Sequence, residues 1–353
     1  MTGTWRSLLE ERRSWSLDPA VAPALGRLVK LERERDTVTA LSIGTKRISF
    51  GGGSEDRITR LLGLMDGRRT IRELAAETDE DLDELVEILG RLYKVAAVWN
   101  HADCPVPSGA LVSHLDHLCQ AFQMELGARI CSVREALESR RSRRLVVGYL
   151  FEAFHYVSGA AIHFSPAIAM APTHRSRMIL SEMLAEEYWH GELLRTGLRK
   201  LDFSDDDIAR SDPLAGTLAI VNCLRGAAMT SMPEYAACVL ATEAGSEALG
   251  GHERQAREVV GFWEFLGRDG VIPPEALKPF AEHDLVDVEH GHQSYAAEIL
   301  CEYAMLTGQQ QESARRTMLM YLQTVGERER QLVQFYGAPE GPPFFTADEL
   351  PVR

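Results

Sequence analysis

Long amphipathic helical patterns occupy almost all of the chain from residue 110 to 335, and this feature limits the fold more than any other. Apolar residues recur there every three to four positions, which is the spacing of a helix that buries one face. The approximate spans are 110–138, 142–163, 174–201, 233–268, 275–305 and 310–335. Prolines interrupt the pattern at Pro166, Pro172, Pro213, Pro273 and Pro274. The sequence therefore predicts a mainly α fold, with helices packed around a shared core.

Residues 21–100 have a different pattern, in which short strands precede short helices. Residues 38–43 and 47–50 have the composition of two paired strands, and Gly44 begins the turn between them. The stretch 57–67 then predicts a helix that ends at an Asp-Gly pair. The order of these elements indicates a small mixed domain in front of the helical bundle.

Three further signals complete the N-terminal pattern. Thr70 and Glu73 have the spacing of a capping box at the start of a helix. Residues 79–95 predict a strongly amphipathic helix whose acidic beginning suits the helix dipole, and residues 95–99 predict a closing strand. Two short helices, a longer third helix and a flanking hairpin predict a small α+β winged-helix domain.

The best candidate for a linker is the stretch 101–110, HADCPVPSGA, because it contains two prolines, a glycine and small polar residues. We therefore divide the chain into three parts. They are a winged-helix-like domain over residues 1–103, a helical domain over 104–336 and an irregular tail over 337–353.

The composition favours a reduced, cytoplasmic protein. The net charge of −14 argues against binding to nucleic acid or to an anionic membrane. None of the six cysteines forms a CxxC pair, which argues against a disulfide framework or a zinc ribbon. We find no clean apolar run long enough for a transmembrane helix, and the N-terminus has charges where a signal peptide needs apolar residues.

Three residues that commonly bind metals lie close together in EHDLVDVEHGH, residues 282–292. His283, Asp287 and His290 fall on an arc of about 60° if the stretch is helical, because each residue advances by about 100°. Their side chains can therefore converge on one point. A helix with this pattern supplies half of a metal site, and the rest must come from other helices.

Candidate partners occur on three other predicted helices. Glu187 and His190 form a Glu-x-x-His pair in AEEYWHGELL, and Glu243 and Glu247 share a face in LATEAGSEALGG. Glu152 stands three residues before a histidine in GYLFEAFHYV. Mixed imidazole and carboxylate ligands suit non-haem iron, and four helices presenting them are typical of helical dimetal sites. Zinc fits less well, because structural zinc prefers cysteine and catalytic zinc needs only three protein ligands.

The HxxxDxxH pattern and the EEYxxG pattern with a nearby histidine resemble the haem-oxygenase-like diiron oxidases, often labelled iron-containing redox enzymes. The resemblance covers about residues 110–335. It implies the all-helical fold of haem oxygenase, which the thiaminase-like TenA proteins and the PQQ-synthesis oxidase share. It also implies ligand and catalytic roles, which fall on Glu187, His190, His283, Asp287 and His290.

The sixth ligand in this family is a glutamate on the intervening helix, and two residues compete for the role. Glu247 fits better by its distance from the HxxxDxxH pattern, whereas Glu243 fits better by its position after an apolar run. In many family members the first histidine follows the glutamate at a longer spacing than the one between Glu187 and His190. The fit of this chain to the family therefore depends on the shorter Glu-x-x-His form. The ferritin-like diiron N-oxygenases have similar ligands, and by that resemblance Glu152 is an additional candidate ligand.

The N-terminal stretch RITRLLGLMDGRRTIREL resembles the PQQ-chaperone-like winged domains that recognise leader peptides of ribosomally made natural products. The resemblance implies a peptide or carrier as partner. A structural or dimerising role is the alternative. DNA binding is disfavoured because the long helix of this domain is acidic.

The resemblance to the diiron oxidases implies an O2-dependent enzyme with two Fe(II)/Fe(III) ions. Its substrate would be an amine, an amino acid or a peptide-borne group in specialised metabolite biosynthesis. The reaction would be N-oxygenation or oxidative C–C cleavage, with O2 as co-substrate and electrons from an external donor. A homodimer is compatible with this interpretation. Three alternatives remain: a cofactor-free or hydrolytic enzyme like TenA or the PQQ-synthesis oxidase, a ferritin-like N-oxygenase, and a non-enzymatic winged-helix regulator.

Overall fold

A computed structural model of the chain describes residues 16–50, 55–130, 132–139, 142–243, 252–268, 270–290, 292–338 and 340–347. The fold is mainly helical, with a small strand-containing region near the N-terminus. The chain forms two compact units. One comprises Met1–Glu125 and Ala296–Leu319, and the other comprises Leu126–Tyr295 and Met320–Arg353.

The described strands are short, antiparallel and confined to the first unit. In chain order they are β1 (Pro23–Leu25), β2 (Lys30–Glu34), β3 (Thr37–Ile43), β4 (Lys46–Ser49), β5 (Val98–Asn100), β6 (Val106–Pro107) and β7 (Met305–Leu306). They pair as a three-stranded sheet, β2-β3-β4, and as the two-stranded pairs β1-β5 and β6-β7. The predicted hairpin is therefore confirmed as β3 and β4, and β2 is a third strand beside it.

The helices follow the amphipathic patterns of the sequence. In chain order they are α1 (Glu55–Leu64), α2 (Ile71–Thr78), α3 (Leu82–Lys94), α4 (Ser108–Gly127), α5 (Val133–Ser139), α6 (Arg143–Ser158), α7 (Ala160–Met170), α8 (His174–Arg199), α9 (Asp205–Arg210), α10 (Ala215–Thr230), α11 (Met232–Glu243), α12 (His252–Gly267), α13 (Pro274–His290), α14 (His292–Cys301) and α15 (Gly308–Tyr336).

Local side-chain chemistry explains where the N-terminal helices begin. Thr70 and Glu73 form the predicted capping box at α2, in which each side chain accepts a hydrogen bond from the other residue's backbone N–H. At α3, Asp81 accepts a hydrogen bond of 2.9 Å from the backbone N–H of Glu84. The closing strand starts at Val98 rather than at residue 95, because the chain first turns through Ala96, which has a φ of 60°.

The core of the second unit joins five helices. Phe151 of α6, Leu198 of α8, Trp263 of α12, Phe280 of α13 and Tyr336 of α15 belong to one buried apolar cluster. Burial of such side chains is the main favourable contribution to the stability of a helical bundle. This cluster holds α8 and α13 beside each other.

Several predicted spans differ from the observed helices. The span 142–163 contains two helices, α6 and α7, that meet at Gly159. Residues 205–230, which the sequence analysis left without a helix, form α9 and α10. The sequence of α10 is apolar or small around most of its circumference, so it lacks the two-faced pattern that would have revealed it.

One described helical stretch, Arg143–Met170, has the length and apolar composition that a membrane crossing requires. Of its most apolar window, 61% is buried inside the protein. Core helices pass the same test, so the stretch is weak evidence for a membrane segment.

Candidate metal centre

Two neighbouring helices of the second unit carry the predicted ligands. Helix α8 presents Glu187 and His190 one turn apart, and helix α13 presents His283 and Asp287 one turn apart. Residues three or four positions apart lie on the same face of a helix, so each helix contributes a pair. The helices pack against each other, and all four residues face the same point.

The close approach of the two helices depends on a glycine. A Cβ atom added at Gly197 of α8 would lie 2.5 Å from Cε2 of Phe280 and 2.8 Å from the carbonyl oxygen of Ala276. Because the second atom belongs to the backbone of α13, a larger side chain would force the helices apart. Gly197 therefore allows the ligand pairs on the two helices to meet.

The four side chains form a compact group of potential metal ligands. One ligand atom from each residue lies within 4.8 Å of every other, in the group Glu187, His190, His283 and Asp287. Oε2 of Glu187 is 3.6 Å from Nδ1 of His190 and 4.0 Å from Nε2 of His283. Nδ1 of His190 is 3.7 Å from Oδ1 of Asp287.

This geometry fits a bound metal ion. Metal bonds to imidazole nitrogen and carboxylate oxygen are about 2.0–2.2 Å long, so ligand atoms around one ion are separated by about 3–4 Å. The Nδ1 atom of His190 and the Nε2 atom of His283 are buried and have no hydrogen-bond partner among the described residues. Buried polar atoms without partners are costly. A metal ion between the two helices would satisfy both atoms.

Asp284 orients one of the histidines, and the sequence analysis did not assign it a role. Its Oδ1 atom accepts a hydrogen bond of 3.0 Å from Nδ1 of His283, and its Oδ2 atom accepts one of 2.8 Å from the indole N–H of Trp263. The hydrogen bond leaves Nε2 of His283 directed at the ligand group. A carboxylate behind a metal-binding histidine is a common arrangement, since it fixes the ring and raises its basicity.

The charges around His283 change its protonation. Burial alone would lower its pKa, but the hydrogen bond to Asp284 and the charges of Asp287, Asp284 and Glu187 outweigh burial and raise the pKa to about 9. The carboxylates that favour a proton here would favour a metal cation in the same way, since both are positive charges.

The structure brings four of the eight predicted ligands together: Glu187, His190, His283 and Asp287. Glu247 lies outside the described residues, and the side chains of Glu243 and His290 lie outside the described part of the structure. The choice between Glu243 and Glu247 therefore stays a prediction, as does the ligand role of His290.

Glu152 lies apart from this group. Its carboxylate is fully buried and accepts hydrogen bonds from the backbone N–H of Leu214, at 3.2 and 3.1 Å, and from the hydroxyl of Tyr336, at 3.0 Å. Burial raises the pKa of Glu152, and hydrogen bonds from Thr217 and Leu214 offset part of the rise. Its contacts are those of a buried structural carboxyl, so the position gives no support to a ligand role.

A cavity of about 230 Å³ adjoins the ligand group. Glu187, His283 and Asp287 form part of its wall, and aromatic residues such as Tyr149 and Phe164 form another part. The cavity is smaller than the pockets of about 300–1,000 Å³ that hold drug-sized ligands. A small molecule in it would touch both an apolar wall and the ligand group.

His163 also lines the cavity. Its Nδ1 atom is 2.9 Å from the hydroxyl of Tyr235, so Nε2 is the ring atom left for a ligand. Burial lowers the pKa of His163 to about 4. Neither His163 nor Asp284 belongs to a repeating spacing: His163 contacts Tyr235 of α11, and Asp284 contacts the adjacent His283 and Trp263 of α12. Only the packing of the helices reveals them.

Comparison with known proteins agrees with the fold. A family model described as iron-containing redox enzyme matches residues 147–325, which is about half of the chain and contains the four grouped ligands. No curated protein matches the chain significantly.

Two solved structures are similar to the chain in fold. The first is a domain of unknown function with a haem oxygenase-like fold from Shewanella denitrificans OS217. It is 15% identical over 67% of this chain and 98% of that one, with a TM-score of 0.53. The second is a TenA homologue from Pseudomonas syringae pv. tomato DC3000. It is 13% identical over 65% of this chain and 94% of that one, with a TM-score of 0.44. The first similarity shows a haem oxygenase-like fold.

Proposed function

The chain belongs to the iron-containing redox enzyme family, and from this premise we propose that it is an O2-dependent non-haem diiron oxidase or oxygenase. Its substrate is an amine, an amino acid or a peptide-borne group. The reaction is N-oxygenation or oxidative C–C cleavage in specialised metabolite biosynthesis, with electrons from an external donor.

One observation carries the proposal: ligand atoms of two histidines and two carboxylates lie within 4.8 Å of one another beside a cavity. The mixture of imidazole and carboxylate suits iron. Two ions per chain require more ligands than these four, and Glu243 or Glu247 with His290 would supply them. The family and the donor set support iron, and the count of two is part of the proposal.

Iron held by these residues would supply the reaction with O2. The chain's own residues have other tasks. Asp284 keeps Nε2 of His283 directed at the metal position, through its hydrogen bond to Nδ1. The aromatic wall of the cavity offers an apolar surface to the substrate.

The principal alternative is a cofactor-free or hydrolytic enzyme of the same fold. In the described part of the chain, nitrogen atoms of His190 and His283 without hydrogen-bond partners lie among two carboxylates, and this mixture of donors suits a metal ion. The ligand group therefore favours the metal enzyme. The proposed partner of the N-terminal part, a leader peptide or carrier, rests on the sequence resemblance alone.

O2 consumption tests the proposal. The full chain is loaded with Fe(II) under anaerobic conditions, mixed with O2 and a panel of amines and amino acids, and followed with an oxygen electrode and by mass spectrometry of the products. We expect substrate-dependent O2 uptake that His283→Ala abolishes. His174→Ala, an exposed histidine at the start of the same helix as Glu187, should leave it unchanged. Iron-loaded protein that consumes no O2 with any substrate would contradict the proposal.

A further inference from the structure

The cavity contains one strongly basic side chain. Arg328 of α15 lines the cavity with a side chain that is 14% exposed. It is the only arginine or lysine among the cavity-lining residues that the structure describes. Arginine remains charged in proteins, so a permanent positive charge faces a space whose other charged groups are carboxylates or histidines.

Contacts with α10 fix the position of Arg328. Its Nε atom donates a hydrogen bond of 3.1 Å to the hydroxyl of Thr217, which is itself buried. A Cβ atom added at Gly216 would lie 2.7 Å from Cα of Arg328, so the start of α10 packs directly against α15. The guanidinium is thus held in place before any ligand binds, which lowers the entropic cost of binding.

Among the described residues, Arg328 makes one hydrogen bond, to Thr217, and one longer ion pair, to Glu329. Guanidinium has five N–H groups, and the bond to Thr217 uses the one on Nε. Nη1 is 3.6 Å from Oε1 of Glu329, which is too long for a good hydrogen bond. Glu329 is engaged elsewhere, since its other oxygen accepts a hydrogen bond of 2.8 Å from the backbone N–H of Val133. The Nη groups can therefore bind a ligand in the cavity.

The arrangement selects one kind of ligand. A planar guanidinium with free Nη donors binds a carboxylate through two parallel hydrogen bonds. Tyr149 and Phe164 offer contact to an apolar body. The candidate metal ligands Glu187, His283 and Asp287 line the same cavity. The part of the substrate that is oxidised can therefore lie beside them. A substrate joined to a carrier through its carboxyl group would lack the free carboxylate.

We propose that Arg328 determines substrate specificity by binding the free carboxylate of a small acid whose other end reaches the metal centre. The inference rests on the proposed function, which it deepens by naming the group that is recognised. It favours a free amino acid or other small carboxylic acid over a carrier-linked substrate.

Binding of 3-phenylpropionate to the metal-free full-length chain tests this role, measured by titration calorimetry. Metal is removed because a carboxylate could otherwise bind iron directly. We expect 3-phenylpropionate to bind more tightly than its neutral amide. Arg328→Gln should weaken binding of the acid by about ten- to hundredfold, the usual effect of removing a charged hydrogen bond, and leave the amide unchanged. Arg328→Lys should weaken binding of the acid less than Arg328→Gln does.

The control is Arg330→Gln, which makes the same charge change two residues away at a side chain that is 52% exposed. It should bind the acid like the unchanged protein. The inference would be overturned if the unchanged protein bound the acid and the amide equally well. It would also be overturned if Arg328→Gln bound the acid as tightly as the unchanged protein does.

Iron is counted in parallel in the unchanged protein and in Arg328→Gln. Equal iron content shows that the variant is folded and that Arg328 is not a metal ligand. If iron binds but the carboxylate effect is absent, the inference fails and the proposed function stands. If the carboxylate effect is present but iron does not bind, the proposed function fails while Arg328 remains an anion-binding residue.

Discussion

At the scale of single residues, Asp284 shows how the protein controls a histidine that it offers to a metal. The carboxylate links the indole of Trp263 to the imidazole of His283. Asparagine at this position would keep the size of the side chain but lose the charge that supports the ring. The effect on metal affinity therefore measures the contribution of the charge.

We predict that Asp284→Asn lowers Fe(II) affinity by about 10–100-fold, the usual cost of losing such a partner. Asp206→Asn, at an exposed position of α9, is the matched control and should have no effect. Both are measured by competition with a chelator under anaerobic conditions. Unchanged affinity in Asp284→Asn would show that the hydrogen bond to His283 does not support metal binding.

Glu152 gives a prediction about pH. Burial raises its pKa in the folded protein above the ordinary value of 4.5, despite hydrogen bonds from Thr217, Leu214 and Tyr336 and the charge of Arg328. The unfolded chain therefore loses this proton at lower pH than the folded one, so rising pH favours unfolding. The contribution of Glu152 to the free energy of unfolding is greatest below pH 4.5 and declines as the pH rises above that value.

Glu152→Gln should remove this part of the pH dependence. Relative to the variant, the unchanged protein should lose free energy of unfolding as pH rises above about 4.5. Urea unfolding of both proteins at several pH values measures the difference. A difference that stays constant with pH would mean that Glu152 keeps an ordinary pKa in the folded state.

At the scale of elements, the site depends on how closely α8 and α13 approach each other. Gly197→Ala would place a methyl group against the backbone oxygen of Ala276. We expect it to cost about 1–3 kcal/mol of unfolding free energy, and to lower iron affinity because the ligand pairs separate. Chemical denaturation and chelator competition measure the two effects.

Gly226→Ala is the control for that change. Gly226 lies within α10, in the same unit, and has open space where the Cβ atom would go. Alanine there should stabilise the protein by about 0.5–1 kcal/mol, because glycine is unfavourable inside a helix. Similar destabilisation by both substitutions would show that the contact between Gly197 and α13 is not the cause of the effect.

Helical periodicity explains how much of the site the sequence could predict. Glu187 with His190, and His283 with Asp287, are pairs within one helix, so their spacing alone indicates that they share a face. Asp284 follows His283 directly and would be assigned to another face, yet its carboxylate reaches the adjacent ring and Trp263 of α12. Contacts between helices depend on packing, which spacing does not encode.

The same distinction applies to the elements. The hairpin of β3 and β4 and the capping box of α2 are local, so the sequence predicted them. Helix α10 was missed because packing rather than amphipathicity stabilises it. Its apolar and small residues pack against α6, α7 and α11. Arg328 was missed for a related reason, since nothing in its local sequence places it beside a cavity formed by other helices.

At the scale of the whole molecule, charge separates an enzyme from a DNA-binding regulator. The chain has 52 acidic residues against 38 basic ones. Association with DNA depends on neutralising phosphates, and this balance opposes it. We predict no shift of random duplex DNA in a gel at low salt, even at micromolar protein. A shift that disappears at higher salt would support the regulator instead.

A count of bound iron tests whether the chain is a diiron protein. The full chain is purified without oxygen, incubated with Fe(II), desalted and analysed for metal per chain. We expect about two irons per chain, as helical dimetal sites with this kind of ligand set hold, followed by a transient visible absorption band when O2 is admitted. We also expect His283→Ala and Asp287→Ala to lose iron while they keep their helical content. Protein that retains no iron would contradict the account, as would full iron retention in both variants.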